Sequence, residues 1–450
     1  MFTFRGLISM KKLYRIILCS ILLFAATILP GITAALSLSP LLYLAAGALF
    51  LFANISPVPF RKLPLRLKAE EGGYCLLASF LLLLVLESAF VIIGAIQWFG
   101  WFTSLFWLNF AVVFISELIV FWNGIIRIYV TSSMLGTNWR IIGILCGMIP
   151  IANIIVLMHI IRIAASEVSM EENRIITNES RKTLSVCKTK YPILLVHGIF
   201  FRDLDRFNYW GRIPAELEKN GAVIFYGNQQ SAIGVKDAGK ELAQRIQEVL
   251  AETGSEKVNI IAHSKGGLDS RYAISCLGMD KYVASLTTIN TPHRGCIFAQ
   301  WLLHHAPEKL TNEIADKYNK AFLKLGDSRT DFLGSVGDLT AESCEAFNNE
   351  VIDSPLVYYQ STGSKINTAL TSIFPLNFSH LIARYFDGPN DGLVAADAAK
   401  WGSRYIYLES SCPDGISHGD VIDLMRHDKP DFDVREFYVQ LVSDLRQRGF

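Results

Sequence analysis

Apolar residues fall in long unbroken blocks up to about residue 165 and in short runs beyond it. A helix crossing bilayer hydrocarbon needs about 20 apolar residues, because each backbone N–H and C=O must be satisfied within it. Five stretches meet or approach that length: 13–36, 39–55, 74–98, 103–128 and 141–164. The pattern predicts a transmembrane helical bundle over 1–165, its first two spans joined as a tight hairpin through Ser37 and Leu38. The first span is too long for the core of a secretory leader and others follow it, so cleavage is not expected. Residues 166–190 are polar, lack apolar periodicity and read as a linker. From Tyr191 the pattern alternates, with strands at 193–196, 222–226, 257–262, 285–290, 356–360 and 404–408. Helical runs lie at 210–220, 235–253, 265–277 and 434–448. Such alternation predicts an α/β domain over 191–450, a mostly parallel sheet with helices on both faces.

Lys and Arg are unevenly placed among the spans. Arg5, Lys11 and Lys12 precede the first, and Arg61, Lys62, Arg66 and Lys68 separate the second from the third. Arg127 and Arg140 flank the loop between the fourth and fifth, while connections 37–38 and 99–102 carry no Lys or Arg. Basic loops stay in the cytoplasm. The N-terminus is therefore expected there, and after five crossings the C-terminal domain is extracytoplasmic. Pro150 interrupts the backbone ladder of the fifth span; losing that span, or the short second one, reverses the side. Trp98, Trp101, Trp107, Trp122 and Trp139 lie near span ends, where amphipathic rings settle. Glu87 and Glu117 lie within spans. An intramembrane carboxylate marks a functional site or faces a polar partner in the bundle, and two isolated ones favour the second reading.

Composition removes several classes. Lys plus Arg is 42 and Asp plus Glu is 41, a net charge of +1. With no basic stripe either, nucleic acid is excluded as a partner. The cysteines are Cys19, Cys75, Cys146, Cys187, Cys276, Cys296, Cys344 and Cys412, with no CxxC pair and no zinc spacing. Five of them follow residue 166, so at least one thiol there is free or pairs between chains.

Chemistry concentrates at Ala262-His263-Ser264-Lys265-Gly266, which a strand enters and a helix leaves. That is the context of a nucleophile elbow, where small residues two positions either side of the serine let strand and helix approach. Ala262 and Gly266 meet the need, though Gly is commoner at the first position. The turn Leu195-Val196-His197-Gly198-Ile199 ends the first strand and has the place of an oxyanion turn. Its donors would be the backbone N–H groups of Ile199 and of Lys265, with His197 structural. Among the nine histidines, His418 in Gly-Ile-Ser-His-Gly-Asp has the loop position a base needs, with His427 the other remaining candidate. The carboxylate expected between Ser and His is Asp391, in a Gly-rich turn, with Asp387 as competitor.

Taken together, YPILLVHGI, Tyr209-Trp210, NIIAHSKGGLDSRY, TTINTPHRG, NDGLV and SHGD resemble the bacterial family I true triacylglycerol lipases. The likeness runs from about 191 to the C-terminus and implies an α/β-hydrolase fold. It implies Ser264 as nucleophile, His418 as base, Asp391 as its partner, and Ile199 and Lys265 as oxyanion donors. It also implies a mobile lid within 295–325, where Leu310, Ile314, Tyr318 and Leu325 form an apolar stripe at helical spacing. A packed surface helix explains that stripe equally well. The family's structural calcium is matched at one position only, Asp420. No Asp or Glu lies between Asp353 and Asp387, and the family's disulfide cysteine after the Asp-Gly-Leu-Val turn is absent.

The expectation is a membrane-anchored serine ester hydrolase of lipid acyl esters, working among membrane lipids without a cofactor. A phospholipase or lipid acyltransferase would carry the same motifs. A transport or scaffold protein with a non-catalytic hydrolase-like domain is the alternative of a different class. Oligomeric state is not legible.

Overall fold

The computed structural model describes residues 10–59, 62–149, 151–199, 208–324, 326–368, 376–429 and 431–450. The chain divides into two compact units, Met1–Ile176 and Thr177–Phe450.

The apolar blocks of the first unit form α1 (Met10–Ala35), α2 (Leu41–Ile55), α3 (Leu65–Gly94), α4 (Ser104–Thr131), α5 (Gly136–Cys146) and α6 (Ala152–Arg181). A π-turn, Ala95–Phe99, prolongs α3. Among the described residues, four helical stretches are long and apolar enough to cross a membrane: Met10–Ala35, Leu65–Phe99, Ser104–Thr131 and Ala152–Arg181. The apolar α2 is shorter, at 15 residues. Helices α3 and α4 approach closely at Gly73 and Gly124. A Cβ on either would lie 3.0–3.1 Å from the other's carbonyl oxygen, the small-residue contact by which membrane helices pack. Glu87 is buried and accepts a hydrogen bond from Thr27 of α1, so this carboxylate has a polar partner within the bundle.

Two expectations are corrected. The span expected over 141–164 is two helices, broken between Cys146 and Ala152, where Ile151 takes a φ of 69°. The stretch 166–190, expected as a linker, is helical as far as Arg181. Polar contacts within the unit support that helix where apolar periodicity fails. The Glu167 carboxylate accepts from Ser132 Oγ (2.7 Å), Ser133 Oγ (2.7 Å) and the Met134 amide (2.9 Å), and pairs with Arg66 at 2.8 Å.

In the second unit the short β-rich runs form β1 (Ile193–Val196), β2 (Ile224–Tyr226), β3 (Val258–His263), β4 (Val283–Ile289), β5 (Tyr358–Ser364) and β6 (Arg404–Leu408). They make one sheet in the order β2-β1-β3-β4-β5-β6, every neighbouring pair parallel. Alternate strand residues face opposite layers, and both layers are apolar. Ile193, Leu195, Ile261 and Ile289 pack with Trp210, with Leu217 of α7 (Ile213–Lys219) and with Tyr438 of α15 (Val434–Gln447). Leu194, Val196, Ile260 and Ala262 face Leu242, Ile246 and Val249 of α8 (Val235–Thr253) and Ala273 and Ile274 of α9 (Lys265–Cys276). Each fully buried aliphatic side chain of this kind stabilises the fold by roughly 1.5–3 kcal/mol. Among the described residues the unit also holds five further α-helices: α10 (Ile297–His305), α11 (Glu308–Lys324), α12 (Phe332–Gly337), α13 (Ala341–Glu350) and α14 (Leu376–Asp387). This is the arrangement of an α/β-hydrolase sheet. From β1 the chain moves to β2 on one side and then to β3 on the other. The carboxyl ends of β1 and β3 therefore flank a topological switch point, where open α/β sheets bind ligands.

Candidate active site

Both motifs singled out in the sequence lie at that switch point. Strand β3 ends at His263, α9 begins at Lys265, and Ser264 between them has φ 55° and ψ −132°. A side-chain-bearing residue pays strain for such a conformation and keeps it only when its surroundings hold it there. Here the Ser264 amide donates to Ile289 O at 2.9 Å, and the Ser264 carbonyl accepts from Thr291 Oγ1 at 2.7 Å and the Gly267 amide at 3.1 Å. The space for this turn exists because side chains are missing. A Cβ on Gly266 would sit 2.4 Å from His197 O, and one on Gly267 would sit 2.2 Å from Thr291 Oγ1. A Cβ on Gly198 would lie 2.9 Å from Ser264 Cβ, so the turn after β1 lies directly against the serine.

His418 lies in the loop after β6, with Nδ1 2.7 Å from Asp391 Oδ2. A carboxylate only accepts, so Nδ1 carries the proton and Nε2 is left with a lone pair. Asp391 is 1% exposed and fully occupied. Its Oδ1 accepts the amides of Leu393 (2.9 Å) and Val394 (2.8 Å), and its Oδ2 also accepts Asn290 Nδ2 at 2.6 Å. The His418 amide donates to Asp391 O at 2.9 Å, which ties base loop to acid turn through the backbone as well. The His418 ring lies 4.4 Å, centre to centre, from that of His263, the residue before Ser264. Asp387 sits elsewhere. Its carboxylate accepts the amides of Ile297 (2.9 Å) and Phe298 (3.0 Å) and so caps the start of α10.

On the β1 side, His197 is buried between the carbonyl oxygens of Gly198 (2.8 Å) and Gln229 (2.9 Å). Tyr209 Oη accepts the Gly198 amide at 3.0 Å and lies 2.7 Å from His263 Nδ1. Among the described residues the amides of Ile199 and Lys265 have no hydrogen-bond partner, as expected for the first N–H of a helix in the case of Lys265. The Lys265 side chain turns inward to Asp269, 2.7 Å away, with both groups buried. Burial raises the Asp269 carboxyl to about 7 against the pull of Lys265. Burial, reinforced by neighbouring His418, holds the His263 imidazole well below its ordinary range. Asn290 and Thr291 carry no expected role in the sequence, although they stand inside a quoted motif. One braces the acid and the other the serine backbone, and the Asn290 φ of 48° sets the turn.

In the expected lid region α10 and α11 are helical. The buried face of α11 is Ala315 and Phe322, packed with Ala232 and Phe332, so the stripe through Ile314 is off by one position. Tyr318 lies at its edge, stacked on Phe332 with centroids 4.6 Å apart. Leu325 and the Leu310 side chain lie outside the described residues. Around Asp420 the residues do not fit calcium, which takes six to eight oxygen ligands. Its Oδ2 accepts Ser417 N (2.8 Å) and Ser417 Oγ (2.7 Å) and faces the Lys429 ammonium at 3.2 Å. Among the described residues no three His, Cys, Asp or Glu side chains converge on a metal-sized site.

This geometry can be set beside known proteins. Residues 193–331 match a serine esterase family, described as "Putative serine esterase (DUF676)". The resemblance to triacylglycerol lipases is found again in curated relatives, over partial segments. One from Pseudarthrobacter phenanthrenivorans, named triacylglycerol lipase, is 36% identical over 174 residues, covering 36% of this chain and 53% of that one. Another of that name, from Vibrio cholerae, is 29% identical over 238 residues, covering 48% of this chain and 75% of that one. The chain spans about half the length of the Pseudarthrobacter relative and of one from Burkholderia plantarii (53% and 48%). Among solved structures, the mature Bacillus licheniformis lipase BlEst2 superposes with a TM-score of 0.41 at 23% identity, covering 52% of this chain and 88% of that one.

Proposed function

We propose that this protein is a membrane-anchored serine ester hydrolase of lipid acyl esters. Ser264 Oγ attacks the acyl carbonyl while His418 Nε2 takes its proton. Asp391 holds the imidazole in the tautomer that allows this and stabilises the imidazolium that forms. The amides of Ile199 and Lys265 receive the oxyanion, with the N-terminus of α9 adding its dipole. The imidazolium gives that proton to the departing alcohol as the tetrahedral species collapses to an acyl-serine, and water, activated by the regenerated imidazole, then releases the acyl group as the acid. The observation that carries the reading is the conjunction at the carboxyl end of the sheet: a strained serine at the switch point, and, 4.4 Å from the ring of the histidine that precedes it, an imidazole fixed 2.7 Å from a fully bonded carboxylate. The relatives named triacylglycerol lipase support an acyl ester of a lipid as substrate.

The apolar helices of the first unit support the anchoring, with α1 to α4 as the crossing helices. At 15 residues α2 is about 22 Å long, short for a core of about 30 Å. Helices α5 and α6 fold back, since Ala165 and Glu167 of α6 bond Lys12, Arg66 and Ser132 on the basic face. With α2 included the net crossings are four, and the Lys and Arg distribution then favours the cytoplasmic side for the hydrolase domain, not the extracytoplasmic side expected from five. The test of activity uses the full chain in detergent against p-nitrophenyl esters from butyrate to palmitate and against triacylglycerol and phospholipid emulsions. Hydrolysis that disappears in Ser264→Ala is expected, a loss on the order of 10⁶-fold. Wild-type protein inert on every ester would overturn the reading.

A further inference from the structure

The loop that carries His418 is held from two sides. On the sheet side the Ile416 amide donates to Lys365 O at 2.7 Å, and Ser364 Oγ donates to Ile416 O at 3.0 Å. On the other side a single cation joins its two ends. Lys429 Nζ bonds Asp414 Oδ2, four residues before His418, and lies 3.2 Å from Asp420 Oδ2, two residues after it. Asp420 passes the restraint on, since the same oxygen accepts both the amide and the hydroxyl of Ser417, next to the histidine. Lys429 is only 9% exposed, and its own position is fixed. Neighbouring Asp428 is clasped by Arg212 (2.9 Å) and Arg435 (2.8 Å), and Arg212 also grips Asp423 at 2.6 Å.

We propose that Lys429 is a positioning residue for the base: its ammonium clasps Asp414 and Asp420 and so fixes the loop that presents His418. This rests on the hydrolase reading above. The cation is covalently part of the chain, so the loop needs no exchangeable metal to hold its two carboxylates together. Burial works against the charge of Lys429, but Asp420 and Asp414 outweigh it and leave its pKa above the ordinary value. Without the ammonium, two carboxylates face each other across a gap and push the ends of the loop apart. A displacement of about 1 Å at a catalytic group costs on the order of 10²-fold in rate.

The test compares the full-length wild type with Lys429→Ala and Lys429→Arg, each in EDTA and in millimolar calcium chloride. Wild type is expected to keep its kcat and thermal midpoint in EDTA. Lys429→Ala should lose on the order of 10²-fold in kcat with KM little changed, and calcium should restore part of both kcat and midpoint by filling the vacated carboxylate pair. Lys429→Arg should keep most of the activity. An unchanged kcat in Lys429→Ala, a loss in KM alone, or a loss that neither calcium nor arginine repairs would overturn the proposal. So would a wild type that EDTA inactivates and calcium revives. Should Lys429→Ala not fold, Asp414→Asn at the partly exposed end of the clasp should lower kcat with KM little changed, and an unchanged kcat there would overturn the proposal. If wild type hydrolyses no ester, the hydrolase reading has failed, and calcium raising the midpoint of Lys429→Ala alone still reports the clasp.

Discussion

Replacing Asp391 by Asn exchanges a group that only accepts hydrogen bonds for one that must also donate two. In the native site the carboxylate accepts four: Leu393 N, Val394 N, Asn290 Nδ2 and His418 Nδ1. The carbonyl oxygen of the new side chain can stay with the two amides, which are fixed. Its NH2 must then face Asn290 Nδ2, itself a donor, and His418 Nδ1. The imidazole is left to accept at Nδ1, which moves its proton to Nε2 and removes the lone pair that Ser264 needs. In a comparable triad this substitution costs about 10⁴-fold in kcat, equivalent to about 5.4 kcal/mol of barrier. The donor–donor contact with Asn290 costs a further ~1–3 kcal/mol of stability. Asp387→Asn is the control. Its carboxylate only caps α10, and Asn caps about as well as Asp, so kcat should stay within a few-fold. Both variants are compared in full-length protein by steady-state hydrolysis of p-nitrophenyl butyrate, with the thermal midpoint measured alongside. An Asp391→Asn protein retaining a tenth of wild-type kcat, or an Asp387→Asn protein losing more than it, would refute the assignment of the acid.

Acid should destabilise the hydrolase domain through two buried imidazoles. Burial holds both His263 and His293 well below the ordinary 6.5. Above pH 6.5 they are neutral folded or unfolded; below it only the unfolded chain takes up protons, and between pH 7 and 5.5 stability should fall by roughly 1 kcal/mol for each. Urea titrations at the two pH values measure the fall, and His293→Gln should shrink it; an equal fall in that variant would be contrary. Gly266→Ala places a Cβ 2.4 Å from His197 O, and overpacking of that kind costs typically 1–3 kcal/mol, so a lower midpoint and a sharp loss of activity are expected. Wild-type values for both would mean the elbow has room to spare. For sidedness, Lys188→Cys should react with a membrane-impermeant maleimide, above the background of exposed Cys276, only after cell lysis. Reaction on intact cells would place the domain outside.

Strands β1 and β6 and helix α8 have the bounds that the sequence pattern predicts, because buried parallel strands and a strongly amphipathic helix write their periods plainly. The elbow was legible for a related reason, since Ala262 and Gly266 are small where β3 and α9 meet. Helix α6 was not legible beyond residue 165, because polar pairs such as Glu167 with Arg66 support it rather than an apolar stripe. The separate tasks of Asp387 and Asp391 depend on which amides and which imidazole the folded turn brings near, and four residues of spacing do not reveal that. Asn290 and Lys429 stayed hidden likewise. Each serves a partner 101 or 9 residues away in the chain, Asp391 for the first and Asp420 for the second, and only the fold makes those pairs.

The central claim is that Ser264 is the nucleophile, and a fluorophosphonate probe tests it most directly. Full-length protein in detergent is labelled, digested, and the modified residue located by mass spectrometry. A single adduct on Ser264 is predicted, absent from Ser264→Ala and formed far more slowly in Asp391→Asn. An adduct on another serine, or undiminished labelling of Ser264→Ala, would contradict the account.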